Sequence, residues 1–382
     1  MKNNTFDVII IGGGFAGCAL AYHFAKAKID TLLLESKHIC SGTSSACAGR
    51  AQIFDSETPE YLKIVQQGYS ELPFLGDEIE IDLEWNLPGH LTLYYSEEQL
   101  ASQLEKIAWM RDLGLCAEFV KPEKIKEIEP FLNSENCVGA ILAEEGHLNP
   151  FKFGWGYLKS AKKLGATIKS FSKVEQFIFN DNKLAGVKTR TQSYFGKYII
   201  LATGAWSRSL THKLGVNLPL FFTRAEAMVS EPLPGILHHH IGTNGFYDSV
   251  HGKNKSVTLG LGQHINGCLL ISNAIQPSKI IDRTSSAWGM PAINQKMKEF
   301  FPTLNNIRMI RTWSAPSPFS KDYQPIIGWL PQVENLYIAS AFHLAIPTIP
   351  IFSRQIVDHV LSQSHNLASD FLEPYSPKRF FK

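Results

Sequence analysis

A chain of 382 residues has room for about two domains, and 44% hydrophobic against 19% charged residues supplies a sizeable core with little left for long disorder. A net charge of +2 is too balanced for a dedicated nucleic-acid binder. The six cysteines (18, 40, 47, 116, 137 and 268) form no C-x-x-C pair, and no apolar run approaches the roughly 18 residues of a membrane span, so free thiols in a reducing cytoplasm are expected, without a secretory leader.

The opening FDVIIIGGGFAGCALAYHFAKAKIDTLLLES predicts strand, tight turn, helix and strand. Residues 7–11, continuously apolar from residue 8, read as a strand buried on both faces of a parallel sheet. A helix is expected over 17–26 and a second buried strand over 31–34. Ser96 to Gln99 is a capping-box pattern ahead of an amphipathic helix over about 97–113. Asn149-Pro150 caps and opens another helix that Gly165 stops. Short strands follow over 166–204 and again over 220–280, then a buried strand over 335–339 and a last helix over 351–361. The basic, aromatic tail PKRFFK reads as a solvated end.

Gly12-Gly13-Gly14-Phe15-Ala16-Gly17 matches G-x-G-x-x-G, after a buried strand and at the opening of a helix, and Glu35 ends the next strand. Gly12 makes the turn. Gly14 lets backbone N–H groups approach a pyrophosphate, and Gly17 packs helix on strand. Glu35 suits ribose hydroxyls and repels a 2′-phosphate, which argues against NADP. The strand that ends in Ala202-Thr203-Gly204 favours FAD over NAD, because it resembles the ATG stretch of flavoproteins with two dinucleotide-binding folds.

With these blocks the chain resembles the D-amino acid oxidase superfamily, nearest the glycine oxidase, sarcosine oxidase beta-subunit and hydrogen cyanide synthase group. Further matches lie in SGTSSACAGR (41–50), the A-x-G-A-W of 202–206, RAEAMVSEPLP (224–234) and RTWSAPSPFSKDYQPIIG (311–328). The resemblance implies an α/β (α+β) fold. A two-dinucleotide-binding Rossmann-type FAD domain of 1–85, 144–220 and 321–382 would interleave with an antiparallel-sheet substrate domain of 86–143 and 221–320. It implies oxidation of an amine or amino-acid C–N bond to an imine by hydride transfer to flavin N5, on a small-molecule substrate. The alternative is an electron-transfer subunit or a flavoprotein without turnover. Electrons would pass to oxygen, a quinone or a partner subunit. A homo- or hetero-oligomer and a peripheral place at the inner membrane are left open.

The FAD contacts implied are Gly12, Gly14, Phe15, Ala16, Gly17, Glu35, Ser36, Gly42, Thr43, Ser44, Gly49, Arg50, Val174, Ala202, Thr203, Gly204, Trp206, Gly328, His343, Leu344, Ala345 and Ile346. The catalytic candidates are Arg50 and His343. The last helix, opening near Pro350, would point its positive end at the flavin. Arg224, Arg311, Tyr247 and Tyr323 are secondary candidates for holding a carboxylate. Consecutive histidines do not face one way on a strand, so His238-His239-His240 predicts no metal site. Two departures from the family stand out. Ser317 occupies the position of a carboxylate-binding Arg, so glycine and simple D-amino acids are expected to be poor substrates. The stretch SAFHLAIPTIP (340–350) replaces a glycine-rich approach to the flavin.

Overall fold

The computed structural model describes residues 4–362 and 371–381, apart from the side chains of 246–248, where the candidate Tyr247 lies outside the described residues. The opening strand is Thr5–Ile11, and Val8 to Ile11 are buried. It pairs in parallel with Thr31–Leu34 on one side and Ser193–Leu201 on the other, so both faces must be apolar. The sheet runs Ile326–Trp329, Leu336–Ser340, Ser193–Leu201, Thr5–Ile11, Thr31–Leu34, Thr167–Lys169. The antiparallel strands Lys183–Thr189 and Val174–Asn180 branch from Ser193–Leu201. Helices Phe15–Lys26 and Pro150–Lys163 pack on one face, the second capped by Asn149, whose Oδ1 accepts from the N–H groups of Phe151 and Lys152.

A second sheet draws on residues 90–143 and 220–320. Its order is Met309–Ser320, Leu220–Pro232, Cys268–Ser278, Ser256–Gln263, His240–Thr243, His90–Tyr94, Gly139–Ala143, Ala117–Val120. Side chains alternate along each strand. Leu91, Leu93, Ile241, Leu259 and Leu261 enter one core with Ile293 and Met297 of the helix Gly289–Phe300. The alternate residues, among them His90, Thr92, His240, Gly242, Gly260 and Gly262, face the other way. Arg50–Ala51 and Gly146–His147 make a small two-stranded bridge between the sheets.

Several elements differ from their sequence readings, and the helices Pro122–Ile128 and Gly289–Phe300 were not read at all. The first helix starts at Phe15 rather than Gly17. The last helix starts at Ala345, not near Pro350. Pro347 falls in its first turn, where a missing N–H costs nothing, so only Pro350 removes a helical bond. The helix Pro59–Glu78 has no counterpart among the elements read from sequence; Thr58 Oγ1 caps it by accepting from the Tyr61 N–H at 3.2 Å. It crosses the last helix at Gly68, where a Cβ would fall 1.6 Å from the Pro347 carbonyl oxygen. Among the described residues no helix is long and apolar enough to cross a membrane.

Candidate active site

A cavity of about 1370 Å³ runs between the two sheets. Pockets for drug-sized ligands span roughly 300–1,000 Å³, so this one has room for a larger ligand with a small second one beside it. At one end its wall is backbone. Gly12 turns at φ +105°, donates its N–H to the Leu34 carbonyl at 2.8 Å, and would put a Cβ 2.5 Å from the Ala202 oxygen. Gly14 is the N-cap of the first helix and offers no side-chain oxygen, so the helix end beyond the Phe15 N–H is left to a ligand. Phe15 and Ala16 continue this wall; the Phe15 N–H donates to Ser44 Oγ at 3.1 Å. Glu35 closes the end beside Ser36 and Val174. One of its oxygens accepts from the Gly13 N–H (2.8 Å), the other from the Lys37 N–H (2.7 Å) and the Ser36 hydroxyl (3.0 Å).

In the middle, the short 3-10 turn Thr43–Ala46 is tied to the second sheet. Thr43 Oγ1 donates to the Pro316 carbonyl at 2.7 Å, and Trp313 Nε1 to that of Ala46 at 3.4 Å. Gly42, Thr43 and Ser44 line the cavity there, opposite Ala202, Thr203, Gly204 and Trp206. Leu344, Ala345 and Ile346 bring in the start of the last helix. Ala341 and Leu344 hold left-handed conformations at φ 58° and 47° without being glycine. The turn expected from a glycine-rich loop is therefore made by residues with side chains, and Leu344 presents its own to the cavity.

Four of the residues expected to contact FAD are not on the cavity wall. Gly17 lies beneath it, where a Cβ would meet the Gly12 oxygen at 1.9 Å. Gly49, at φ +80°, packs against the Leu148 carbonyl, and Gly328, at φ +146°, packs against Pro377. His343 turns away and stacks on Tyr61 with ring centroids 4.5 Å apart, while its carbonyl accepts from the Tyr61 hydroxyl at 3.0 Å. Burial holds the His343 ring down at about 4, and neither ring nitrogen has a partner among the described residues. Of the secondary candidates, Arg224 pairs with Asp282 at 2.7 Å, Arg311 is exposed and Tyr323 packs on Phe221 and His251, all off the cavity wall. Ser317 does line it.

The other end of the cavity is made of side chains. Arg50 donates from Nη2 to Glu145 at 2.7 Å. Glu145 is fully buried and also accepts from the N–H groups of Ile53 (3.0 Å) and Phe54 (3.2 Å), with His90 Nδ1 at 3.5 Å. Arg50 and the two backbone N–H groups all donate to this carboxyl group. Burial pushes its pKa up, and the Arg50 charge opposes that. His90 and His240 stand side by side on paired strands, 5% and 3% exposed, both well below the usual histidine pKa because of burial. Glu145 and His90 went unread in the sequence, and His240 was read only as part of a histidine run without a metal role. The available signal was the alternation His240-x-Gly242 and Gly260-x-Gly262, which leaves room for rings on one strand face. Of the three-histidine run, His239 Nδ1 pairs with buried Glu129 at 2.9 Å and only His240 reaches the cavity. Among the described residues no group of three or more His, Cys, Asp or Glu is placed to hold a metal.

A family model for FAD-dependent oxidoreductases, DAO, matches residues 7–358. The chain belongs to this family. It is 24% identical to glycine oxidase of Bacillus subtilis (strain 168), over 94% of each chain. It is also 24% identical to sarcosine oxidase subunit beta of an Arthrobacter species, over 87% of this chain and 81% of that one. The crystal structure of glycine oxidase from Geobacillus kaustophilus superposes with a TM-score of 0.85 at 22% identity, covering 98% and 99% of the two chains. The cofactor of this DAO-family chain is FAD. Its residues fit that group: a glycine cradle that a Cβ would fill, a helix N-terminus whose N-cap glycine has no side chain to compete with the pyrophosphate, and Glu35 at the adenosine end.

Proposed function

We propose that this protein oxidises the C–N bond of a small amino acid or related amine to an imine. The observation that carries the reading is one continuous cavity, which joins the glycine cradle to a polar end built around Arg50, Glu145, His90 and His240. The glycine and sarcosine oxidase relatives support nitrogen-bearing substrates.

When bound, FAD supplies the two-electron acceptor for the C–H bond beside the substrate nitrogen. The chain supplies position and a dry surrounding. Trp313, Phe342 and Leu344 line the cavity with apolar surface, which excludes water and strengthens the polar contacts made there. Arg50 offers a fixed positive charge to an acidic group, held in place by Glu145. The ammonium form of the substrate has no lone pair to form the imine, so a proton must leave nitrogen first. The buried, neutral imidazoles of His90 and His240 are acceptors of the right type beside Arg50.

The test is anaerobic mixing of the purified yellow holoenzyme with a panel of primary, secondary and N-methyl amino acids, followed by flavin absorbance. Bleaching by at least one member is expected, with NADH and NADPH inert. Re-oxidation of the bleached enzyme with oxygen or a soluble quinone then reads the electron acceptor. Bleaching by a nicotinamide, or by no amine in the panel, would overturn the proposal.

A further inference from the structure

The imidazoles at the polar end are held in an unusual way. His240 lies directly across the strand pair from Gly262, and its ring folds over that glycine, where a Cβ would come within 2.7 Å. His90, on the adjoining strand, puts Nε2 over Gly242, where a Cβ would come within 2.6 Å. The two glycines therefore serve as seats for two rings. Both rings are more than nine-tenths buried, and among the described residues His90 Nε2, His240 Nδ1 and Arg50 Nε have no hydrogen-bond partner. Buried polar atoms are normally satisfied, so three orphans on side chains that line one cavity end mark that end as suited to a polar ligand, toward which the side chains would turn.

The charges specify that ligand. Arg50 is balanced by Glu145, so the niche is close to neutral as it stands. His90 faces Glu145, Arg50, His240 and the Thr92 hydroxyl. His240 faces Arg50, His147, His264 and His239. His147 has its Nε2 3.0 Å from the Ala48 carbonyl and is itself held neutral by burial, at about 3. Among the described residues, Glu145 is the carboxylate paired with these rings. An arriving anion would thus find a guanidinium already shared and two neutral rings able to take up a proton. Ser317, on the far strand of the same sheet, offers no cation of its own.

We propose that the substrate carboxylate docks between Arg50, His90 and His240, and that docking draws one proton onto an imidazole there. Glu145 is a positioning residue that aims Arg50. The inference rests on the reading of the substrate as an amino acid. With a zwitterionic substrate, the ammonium N–H bond breaks and an imidazole N–H bond forms. The nitrogen lone pair is freed, and the new imidazolium pairs with the carboxylate of the same molecule. Net charge in the niche changes only by that of the substrate, so the substrate nitrogen is neutralised without proton loss to solvent.

Methoxyacetate, a carboxylate of amino-acid size without an amine, separates this from the reading of the activity, which amine-driven bleaching tests alone. Titration of the holoenzyme by calorimetry, in buffers of different ionisation enthalpy, counts the protons exchanged. Uptake approaching one proton per methoxyacetate near neutral pH is expected, with affinity falling about tenfold per pH unit as pH rises through that range. Gly262→Ala, which displaces the ring without removing a charge, is expected to abolish the uptake and weaken binding about tenfold or more. Binding without proton exchange, pH-independent affinity, or no binding at millimolar concentration would each overturn the proposal on the wild-type enzyme alone. So would wild-type affinity in Arg50→Ala holoenzyme.

Discussion

The two ends of the cavity are built on opposite plans. The nucleotide end is backbone: glycines 12 and 14, the N-terminus of the helix Phe15–Lys26, and one carboxylate, Glu35, anchored by N–H groups from its own neighbourhood. The polar end is side chains brought from four distant segments, Arg50, His90, Glu145 and His240, with buried polar atoms that lack partners among the described residues. A backbone cradle tolerates no added atom but asks little of charge. A side-chain niche tolerates changes of shape but depends on charge balance. Substitutions at the two ends should therefore fail differently.

The largest effect is expected at the cradle. Gly17→Val should give no soluble folded protein, because its first carbon already overlaps the Gly12 oxygen. Gly14→Val should fold, since a Cβ there meets only the Ser44 hydroxyl at 3.1 Å, but should lose FAD by filling the phosphate approach. A colourless protein with a cooperative thermal transition is the expected result, and retained flavin would place the pyrophosphate elsewhere.

At the polar end, Glu145→Ala should retain the fold but lose about 3 kcal/mol, because a largely buried guanidinium and two backbone N–H groups lose their acceptor. Urea unfolding measures this. The double variant Arg50→Met, Glu145→Leu should recover much of the loss, which a purely steric role for Glu145 would not allow. Arg50→Ala should keep its FAD and lose about 10–150-fold in kcat/KM for amino-acid substrates, the equivalent of about 1.5–3 kcal/mol for a charged hydrogen bond. Equal kcat/KM in the variant would remove Arg50 from substrate binding.

Smaller, and away from the walls of both ends, is an acid sensitivity. Burial holds the rings of His23, His147 and His343 neutral, at about 3, 3 and 4. The unfolded chain protonates these rings below about pH 6.5 while the folded chain does not. Stability is therefore complete above that pH and falls as pH drops, by about 1.4 kcal/mol per unit for each ring, until the folded pKa is reached. Urea midpoints between about pH 7 and 5 should show the slope, and His343→Phe should reduce it by one proton's share. The smallest effect is at Ala341, at φ 58° and 3% exposed. Relief of left-handed strain and added chain entropy nearly cancel, so Ala341→Gly should shift stability by less than about 1 kcal/mol.

The nucleotide end was legible in the sequence because its parts are local. Gly12 to Glu35 span one strand-turn-helix-strand unit, and each position has its job within that unit. The helices capped by Ser96 and Asn149 were legible for the same reason. The start of the last helix was misread because two prolines look alike in a sequence, whereas only one sits past the first turn. His343 could be placed near the flavin position by its number in the chain, but tertiary packing on Tyr61, 282 residues away, turned its ring from the cavity. The sequence by itself thus determined the cofactor cradle and the layering of strands, since hydrophobic period and glycine spacing act over a few residues. Only the tertiary structure decided that Arg50 meets Glu145 and that His90 lies beside His240, because those neighbours arise from strand order and register between segments 95 and 150 residues apart.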